Sequence, residues 1–340
     1  MKKRLFFLII TVMMVCTTAV VCSTATELPT LNWVLQTVET SLTDPRVEEC
    51  VKFADRVAQR TDGKFKIRVV LAKELGIDRG EFPQAVGSGT IEMAWLNTSV
   101  TGGISSLSYT GLFNLPYLTV DQDTCLTAAE AINDMVFEDM KALGYQPLPP
   151  NSFFVFTPQD LLSKNPIPNL ADLNDIKVRV WRDLDAKLIQ SLGGSPVYMP
   201  VTEVYIAMQR GVVDAVNTGP NGMVMASLWE VGKYYYAVGL EPSGSWIVAN
   251  NKKWNDLPPE YKKIIEEENV AMIKAMYDKY LTSTREQQDI LVKNGVIINQ
   301  PSQEEIKAWR DAGKPIWDEW AQQDPRNRKA LDAAIKALGF

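Results

Sequence analysis

The stretch from Asp172 to Thr218 constrains the fold more than any other. Ile176-Lys177-Val178-Arg179-Val180-Trp181 alternates with the period of two expected of a strand. Leu184, Leu188, Ile189 and Leu192 then recur at helical spacing, and Gly193-Gly194 suits the left-handed turn that ends a helix. Val197-Tyr198-Met199 reads as a second short strand. Thr202 is placed to cap a second helix running through Met208, Gly211 closes it, and Val212 to Val216 reads as a third strand. Strand–helix–strand–helix–strand is the unit of a parallel sheet. Ligands of such sheets gather at the carboxyl ends of the strands. Arg179 and Trp181 lie near that end of the first strand, and Asn217 and Thr218 follow the third. A guanidinium, an indole and two small polar groups are therefore expected to converge.

The chain has 340 residues, 46% hydrophobic and 22% charged, which is ordinary globular composition and long enough for two domains of moderate size. Its 35 basic and 41 acidic residues give no basic excess, so no nucleic-acid partner is expected. Histidine is absent altogether. That excludes a Ser-His-Asp triad, a Cys-His dyad and every His-ligated metal site. No motif for carboxylate or lysine catalysis replaces them. No enzyme activity, metal or cofactor is expected.

The first 25 residues read as an export signal. Lys2, Lys3 and Arg4 precede a mostly apolar run from Leu5 to Val21, and Ser23-Thr24-Ala25 fits a small-x-small cleavage site. An uncleaved anchor is the alternative, but the run is short for a membrane span. Cys22 would suit a lipoprotein, yet Val21 before it is larger than such signals accept. Cleavage removes three positive charges and no acid, taking the net charge from −6 to −9. Cys50 and Cys125 remain in an oxidising compartment, where one disulfide is allowed. Cys50 falls on the apolar stripe Val47, Val51, Ala54, Ala58, so two separately buried thiols are favoured.

Ahead of the central stretch, Leu31 to Gln36 reads as a strand, and Asp44-Pro45 starts a helix that runs to about Arg60. Phe65 to Leu71 and Ile91 to Leu96 are further strands, with a short helix at Phe82 to Val86 between them. Polar residues again follow the strands: Gln36 to Glu39, then Asn97 and Thr98. Asp121 to Leu143 has one helical pattern, and Phe153 to Phe156 is an extended run long enough to cross between domains. After the central stretch, Met223 to Tyr236 is read as helical and Trp246 to Asn250 as a second crossing strand. Asp256-Leu257-Pro258-Pro259 opens a long helix with Ile264, Ile265, Met272, Met276 and Tyr280 on one face. Val296 to Ile298 is a late strand, followed by helices at Glu304 to Trp320 and Arg328 to Leu338.

Several pieces together resemble the solute-binding proteins of tripartite ATP-independent periplasmic (TRAP) transporters. They are Asp172-Leu173 with Ile176 to Val180; Pro200, then Glu203-Val204-Tyr205, Met208-Gln209 and Gly211 to Asp214; Glu230-Val231 with Lys233-Tyr234; and Trp254 to Pro259. Leu75-Gly76 with Asp78-Arg79, and Gly89 to Ala94, add an N-terminal match. The resemblance implies an α/β, two-domain periplasmic solute-binding fold of type II-like organisation, with crossing hinge strands and a long bracing helix. It partitions the mature chain into residues 26–155 with 246–285, and 156–245 with 286–340. It further implies a periplasmic monomer that closes on an organic acid and delivers it to a membrane permease. An ABC-type receptor is the other binding reading, disfavoured by the spacing of these pieces.

The family's carboxylate-gripping arginine maps onto Arg179, whose fork suits two parallel hydrogen bonds to a carboxylate. Two departures matter. Where many relatives have Glu-Asn-Pro, this chain has Asn217-Thr218-Gly219-Pro220. Where many have a second arginine, counting back from Arg179 reaches Gln159, and 151–163 holds no arginine. One cation fewer favours a monocarboxylate over a dicarboxylate. Trp181, two residues beyond Arg179, is on the same strand face and offers an aromatic wall. Gln36, Glu39, Asn97, Gln159, Asn217 and Thr218 complete the expected ligand-binding set. A uronate-like sugar acid is the runner-up ligand.

Overall fold

The computed structural model describes residues 27–339, so the expected export signal, residues 1–25, lies outside the described residues. In chain order the strands are β1 (Leu31–Gln36), β2 (Phe65–Val70), β3 (Met93–Asn97), β4 (Tyr145–Pro147), β5 (Phe153–Val155), β6 (Asp160–Ser163), β7 (Lys177–Val180), β8 (Ser195–Tyr198), β9 (Ala215–Thr218), β10 (Tyr234–Tyr236), β11 (Gly244–Asn250) and β12 (Ile297–Asn299). They form two six-stranded sheets. The first runs β2-β1-β3-β11-β4, with β5 also paired to β11; the second runs β12-β10-β6-β9-β7-β8.

Each sheet is parallel where strand and helix alternate. β1 pairs in parallel with β2 and β3, and β7 with β8 and β9, whereas β11 and β6 run antiparallel to their neighbours. Between β1 and β2 the helix Pro45–Arg60 forms as expected: Asp44 accepts from the Arg46 N–H, and Pro45 takes the first-turn position where no N–H is needed. Its stripe Val47, Cys50, Phe53, Ala54 and Val57 is buried in the first core. Burying side chains of this kind contributes about 1.5–3 kcal/mol each for the larger ones.

The long helix Pro259–Lys293 braces both halves. Tyr261, Ile264, Ile265, Met272 and Met276 pack into the first core, and Leu291, near the far end, packs with β6, β9 and β10 side chains of the second sheet. Near its start, Glu268 pairs with Arg60 at 2.8 Å, and with Arg56, tying it to the helix Pro45–Arg60.

Five expectations need correction. Phe153–Phe156 and Trp246–Asn250 were the expected crossings, but β5 and β11 both belong wholly to the first sheet. The crossings are the segments beside them, 156–159 and 237–243. Phe153 and Trp246 are instead locked into an aromatic cluster with Phe113, at centroid distances of 4.8 and 5.8 Å from it. Second, the expected helix Met223–Tyr236 stops after Pro220–Met225 and gives way to β10. Ser227 turns left-handed at φ 49°, and Gly232 lies so close to Leu162 that a Cβ would meet its side chain at 2.7 Å. Third, the pattern Asp121–Leu143 divides into helices Gln122–Ala131 and Asn133–Ala142 at Ile132, where Asn133-Asp134 favour a helix start over an interior. Fourth, the strand expected at Val212–Val216 lies three residues later. Asp214 still belongs to the turn, its carboxylate accepting the Lys177 N–H at 2.9 Å. Finally, the grouping of 286–340 with the second sheet fails for the closing helix Pro325–Leu338. Ala330, Leu331 and Ala334 on that helix pack into the first core.

Cys50 and Cys125 are separate buried thiols, and burial pushes both well above the usual thiol range. Among the described residues no helix is long and apolar enough to cross a membrane.

Candidate functional site

The carboxyl ends of β7, β8 and β9 form one edge of the second sheet. Strand alternation assigns their side chains to two faces. Val178, Val180 and Ala215 pack with Leu188, Ile189 and Trp309 on one face; Leu162 and Val216 pack with Val204 and Met208 on the other. Arg179 and Thr218 have the parity of the second face, and so does Trp181, just beyond β7.

Arg179 is buried. Its Nε donates to the Met199 carbonyl and its Nη1 to the Asn217 carbonyl, both at 3.0 Å. Among the described residues no carboxylate stands within ion-pairing distance of it. Burial therefore holds its guanidinium below the usual arginine range, with Asp185 pulling the other way from farther off. A buried cation held only by neutral carbonyls retains attraction for an anion. Trp181 beside it is 48% exposed, a large apolar surface facing outward from the strand ends.

Asn217 does not join this group through its side chain. It has the parity of Ala215 and pairs with the core residue Leu161, so its carboxamide faces the opposite side of the sheet. Its backbone carbonyl accepts from Arg179, and both polar atoms of its buried carboxamide have no partner among the described residues. The sequence placed Asn217 after the strand; because β9 extends to Thr218, Asn217 is inside it and bound by its alternation. Gln159 lies in the first crossing, half-buried. Its Nε2 stands beside Gly219, 3.7 Å from where a Cβ would be. Gln159 and Thr218 are thus brought together, because β6 pairs with β9 at Asp160 and Thr218.

The carboxyl-end edge of the first sheet carries the remaining expected residues. Gln36 donates through Nε2 to the Thr37 and Leu71 carbonyls, each at 2.9 Å, while its buried Oε1 has no partner among the described residues. The Asn97 carboxamide oxygen accepts from the Ser99 N–H at 2.9 Å and hydroxyl at 2.6 Å, capping the short helix Thr98–Thr101. Glu39 accepts from Arg46 at 2.9 Å; Arg46 also bonds Asp44 and lies over the Phe156 ring at 4.4 Å. Burial pushes the Glu39 carboxyl up, with Arg46 opposing. Glu39 and Arg46 line a cavity of about 540 Å3 with Thr157, Asn221, Met225 and Gln287. Arg179 is not among its lining residues.

Sequence reasoning missed Asp160 and Arg182. Asp160 opens β6 and is buried; its carboxylate accepts from the Gly239 N–H at 2.8 Å and from the Tyr235 hydroxyl. Gln288 of the long helix donates to that same hydroxyl at 3.2 Å. The second crossing and β10 therefore meet at one carboxylate, with the long helix joined to it through Tyr235, and burial pushes that carboxyl up to about 6. Nothing in a linear sequence separates such an Asp from a solvated one.

Residues 37–324 match the profile of the family described as bacterial extracellular solute-binding protein, family 7. The chain belongs to this family. It is a solute-binding protein of the TRAP type, and the family is one of receptors that bind small organic acids and work with membrane permease components.

The family 7 chain is 25% identical over 299 residues to the 2,3-diketo-L-gulonate-binding periplasmic protein of Escherichia coli K12, covering 87% of this chain and 89% of that one. It is 24% identical to the C4-dicarboxylate-binding periplasmic protein of Rhodobacter capsulatus, covering 86% of each. It is 26% identical to a monocarboxylate 2-oxoacid-binding periplasmic protein of Nostoc, covering 80% and 74%. Among solved structures it superposes on a Bordetella pertussis solute receptor binding pyroglutamic acid with a TM-score of 0.73 at 21% identity, covering 89% and 99%. On a Chromohalobacter salexigens TRAP protein with bound D-glucuronate the TM-score is 0.75 at 21% identity, covering 90% and 99%. These likenesses establish the two-domain fold.

Proposed function

We propose that the family 7 chain is an extracytoplasmic receptor for an organic monocarboxylate with an apolar or aromatic body. On this reading the chain is exported to the periplasm with cleavage after Ala25. As a monomer it closes its two halves around the acid and delivers it to a TRAP permease. Arg179 carries the reading: a buried guanidinium, braced by two carbonyls, with its charge uncompensated. One carboxylate matches it through parallel charge-assisted hydrogen bonds. A second carboxylate enclosed at the same place would need its own donors, and Gln159 and Thr218 offer neutral ones. Trp181 supplies a flat apolar wall on the Arg179 face. The relative that binds monocarboxylate 2-oxoacids and the pyroglutamate receptor support this choice.

A sugar acid is the second reading. It is favoured by the diketogulonate-binding and glucuronate-bound relatives, and by amide and hydroxyl groups suited to reading hydroxyls. Mass spectrometry of acids released from protein purified without refolding identifies the ligand directly. A thermal-shift series of aryl and branched-chain acids, uronates and C4-dicarboxylates then ranks the classes. Selective stabilisation by succinate or malate overturns the monocarboxylate reading; stabilisation by a uronate promotes the second. Solution scattering tests closure, with a smaller radius of gyration expected on saturation with the released acid.

A further inference from the structure

We propose that Arg182 and Glu241 are positioning residues for ligand selectivity, holding the Trp181 indole in place as a wall of the ligand site and fixing it relative to the second crossing. The inference rests on the reading above, which makes Trp181 part of that site.

An indole that is 48% exposed at a strand end has little packing of its own to select one rotamer. Here the Arg182 guanidinium covers one face of it, 4.8 Å from the ring centroid. Arg182 is itself pinned. Its Nη2 donates to Asp185 at 2.6 Å and its Nε at 3.2 Å, and it pairs with Glu241. Both acids are buried, Asp185 at 0% and Glu241 at 2% exposure. A guanidinium gripped by two carboxylates has a fixed plane, and a fixed plane is what an aromatic ring stacks upon.

Glu241 belongs to the segment 237–243, which leads from β10 in the second sheet to β11 in the first. The wall is thereby referenced to the hinge as well as to β7. Burial pushes the Glu241 carboxyl well above the usual carboxylate range, with Arg182 opposing. Lysine at 182 would conserve the charge without the plane, which separates positioning of the ring from simple charge neutralisation.

The test reads the ring directly and needs no ligand. Subtracting the near-ultraviolet circular dichroism of Trp181→Phe from that of the parent isolates the Trp181 band, and acrylamide quenching measured the same way gives its access. In Arg182→Lys and in Glu241→Gln, each compared with its own Trp181→Phe double variant, the band should fall about threefold and quenching should rise about twofold. The second effect should appear with selectivity: the ratio of Kd for phenylpyruvate to Kd for D-glucuronate should rise about fivefold in Arg182→Lys. An unchanged band and unchanged quenching in Arg182→Lys overturn the inference, whatever the ligand does. If Trp181→Ala binds the released acid as tightly as the parent, the reading of the site fails instead, and the optical result reports only a structural clamp. Arg182→Lys keeps the test decisive if Glu241→Gln does not fold, because it leaves both buried acids a cation.

Discussion

The carboxyl-end edges of the two sheets carry similar residue types with opposite accounting of their polar groups. On the first edge, Asn97 spends its oxygen capping a helix, Gln36 spends its amide on two loop carbonyls, and Glu39 is paired with Arg46. On the second edge, Arg179 touches two carbonyls and no acid, and Trp181 stands half in solvent. Arg46 and Arg179 are both braced arginines, but Arg46 has two carboxylates and Arg179 has none. What separates a structural cation from a recognition cation is compensation rather than burial. On the proposed reading, the second edge holds the ligand and the first covers it.

Substituting the two arginines tests that contrast most severely. Arg179→Ala is expected to cost about 2–5 kcal/mol of binding, on the order of 30- to 5,000-fold in Kd. Its ligand-free melting temperature should change little, because the two hydrogen bonds lost to the Met199 and Asn217 carbonyls are offset by removal of a buried cation that has no ion pair. Arg46→Ala should do the reverse: affinity within about threefold, and folding weaker by about 1–3 kcal/mol as Glu39 and Asp44 lose their partner. Calorimetry with the released acid and urea unfolding read the two effects separately. Affinity of Arg179→Ala within threefold of the parent would sink the assignment.

Asp160 sharpens the contrast on the second edge, since it is a buried charge there with fixed internal partners. Its carboxyl is raised from 3.8 to about 6 by burial. An acid raised in the folded state holds its proton more tightly there than in the unfolded chain. Its contribution to stability is then full below pH about 4 and is lost as pH rises through about 6. The shift corresponds to about 3 kcal/mol as an upper figure. Asp160→Asn stays neutral throughout, so its stability relative to the parent should rise by up to about 3 kcal/mol between pH 4 and pH 7. Urea unfolding at the two pH values measures this. Parallel profiles would mean that Asp160 ionises as an ordinary surface acid.

The central strand–helix–strand–helix–strand unit was legible because period and punctuation agree: Arg179 and Trp181 are on one face, and Gly211 turns at φ 73° where its helix ends. The helix Pro45–Arg60 was legible from its cap alone. Crossings were not, because a buried strand such as β11 and a segment running between domains have the same apolar composition. Asn217 was expected just after the strand and lies inside it, because strand ends are the least legible boundaries in a sequence. Arg182 carried no sequence signal: its value comes from Glu241, distant in the chain and adjacent only after folding.

The smallest expected effects come from one polar residue on each edge. Thr218 has the parity of Arg179 and sits beside Gln159, so its hydroxyl is available to a ligand enclosed there. Thr218→Val preserves shape and removes one hydrogen bond. Affinity for the released acid should fall by about 0.5–1.5 kcal/mol, with little change in melting. Asn97→Ala removes the cap from Thr98–Thr101 and should cost about 1 kcal/mol of stability while leaving affinity unchanged, because its oxygen is already committed to Ser99. The pair forms a crossed design, with binding and stability each read on both variants by calorimetry and thermal melting. If Asn97→Ala weakens binding as much as Thr218→Val, the first edge reads the ligand too, and the division between a recognising edge and a covering edge is wrong.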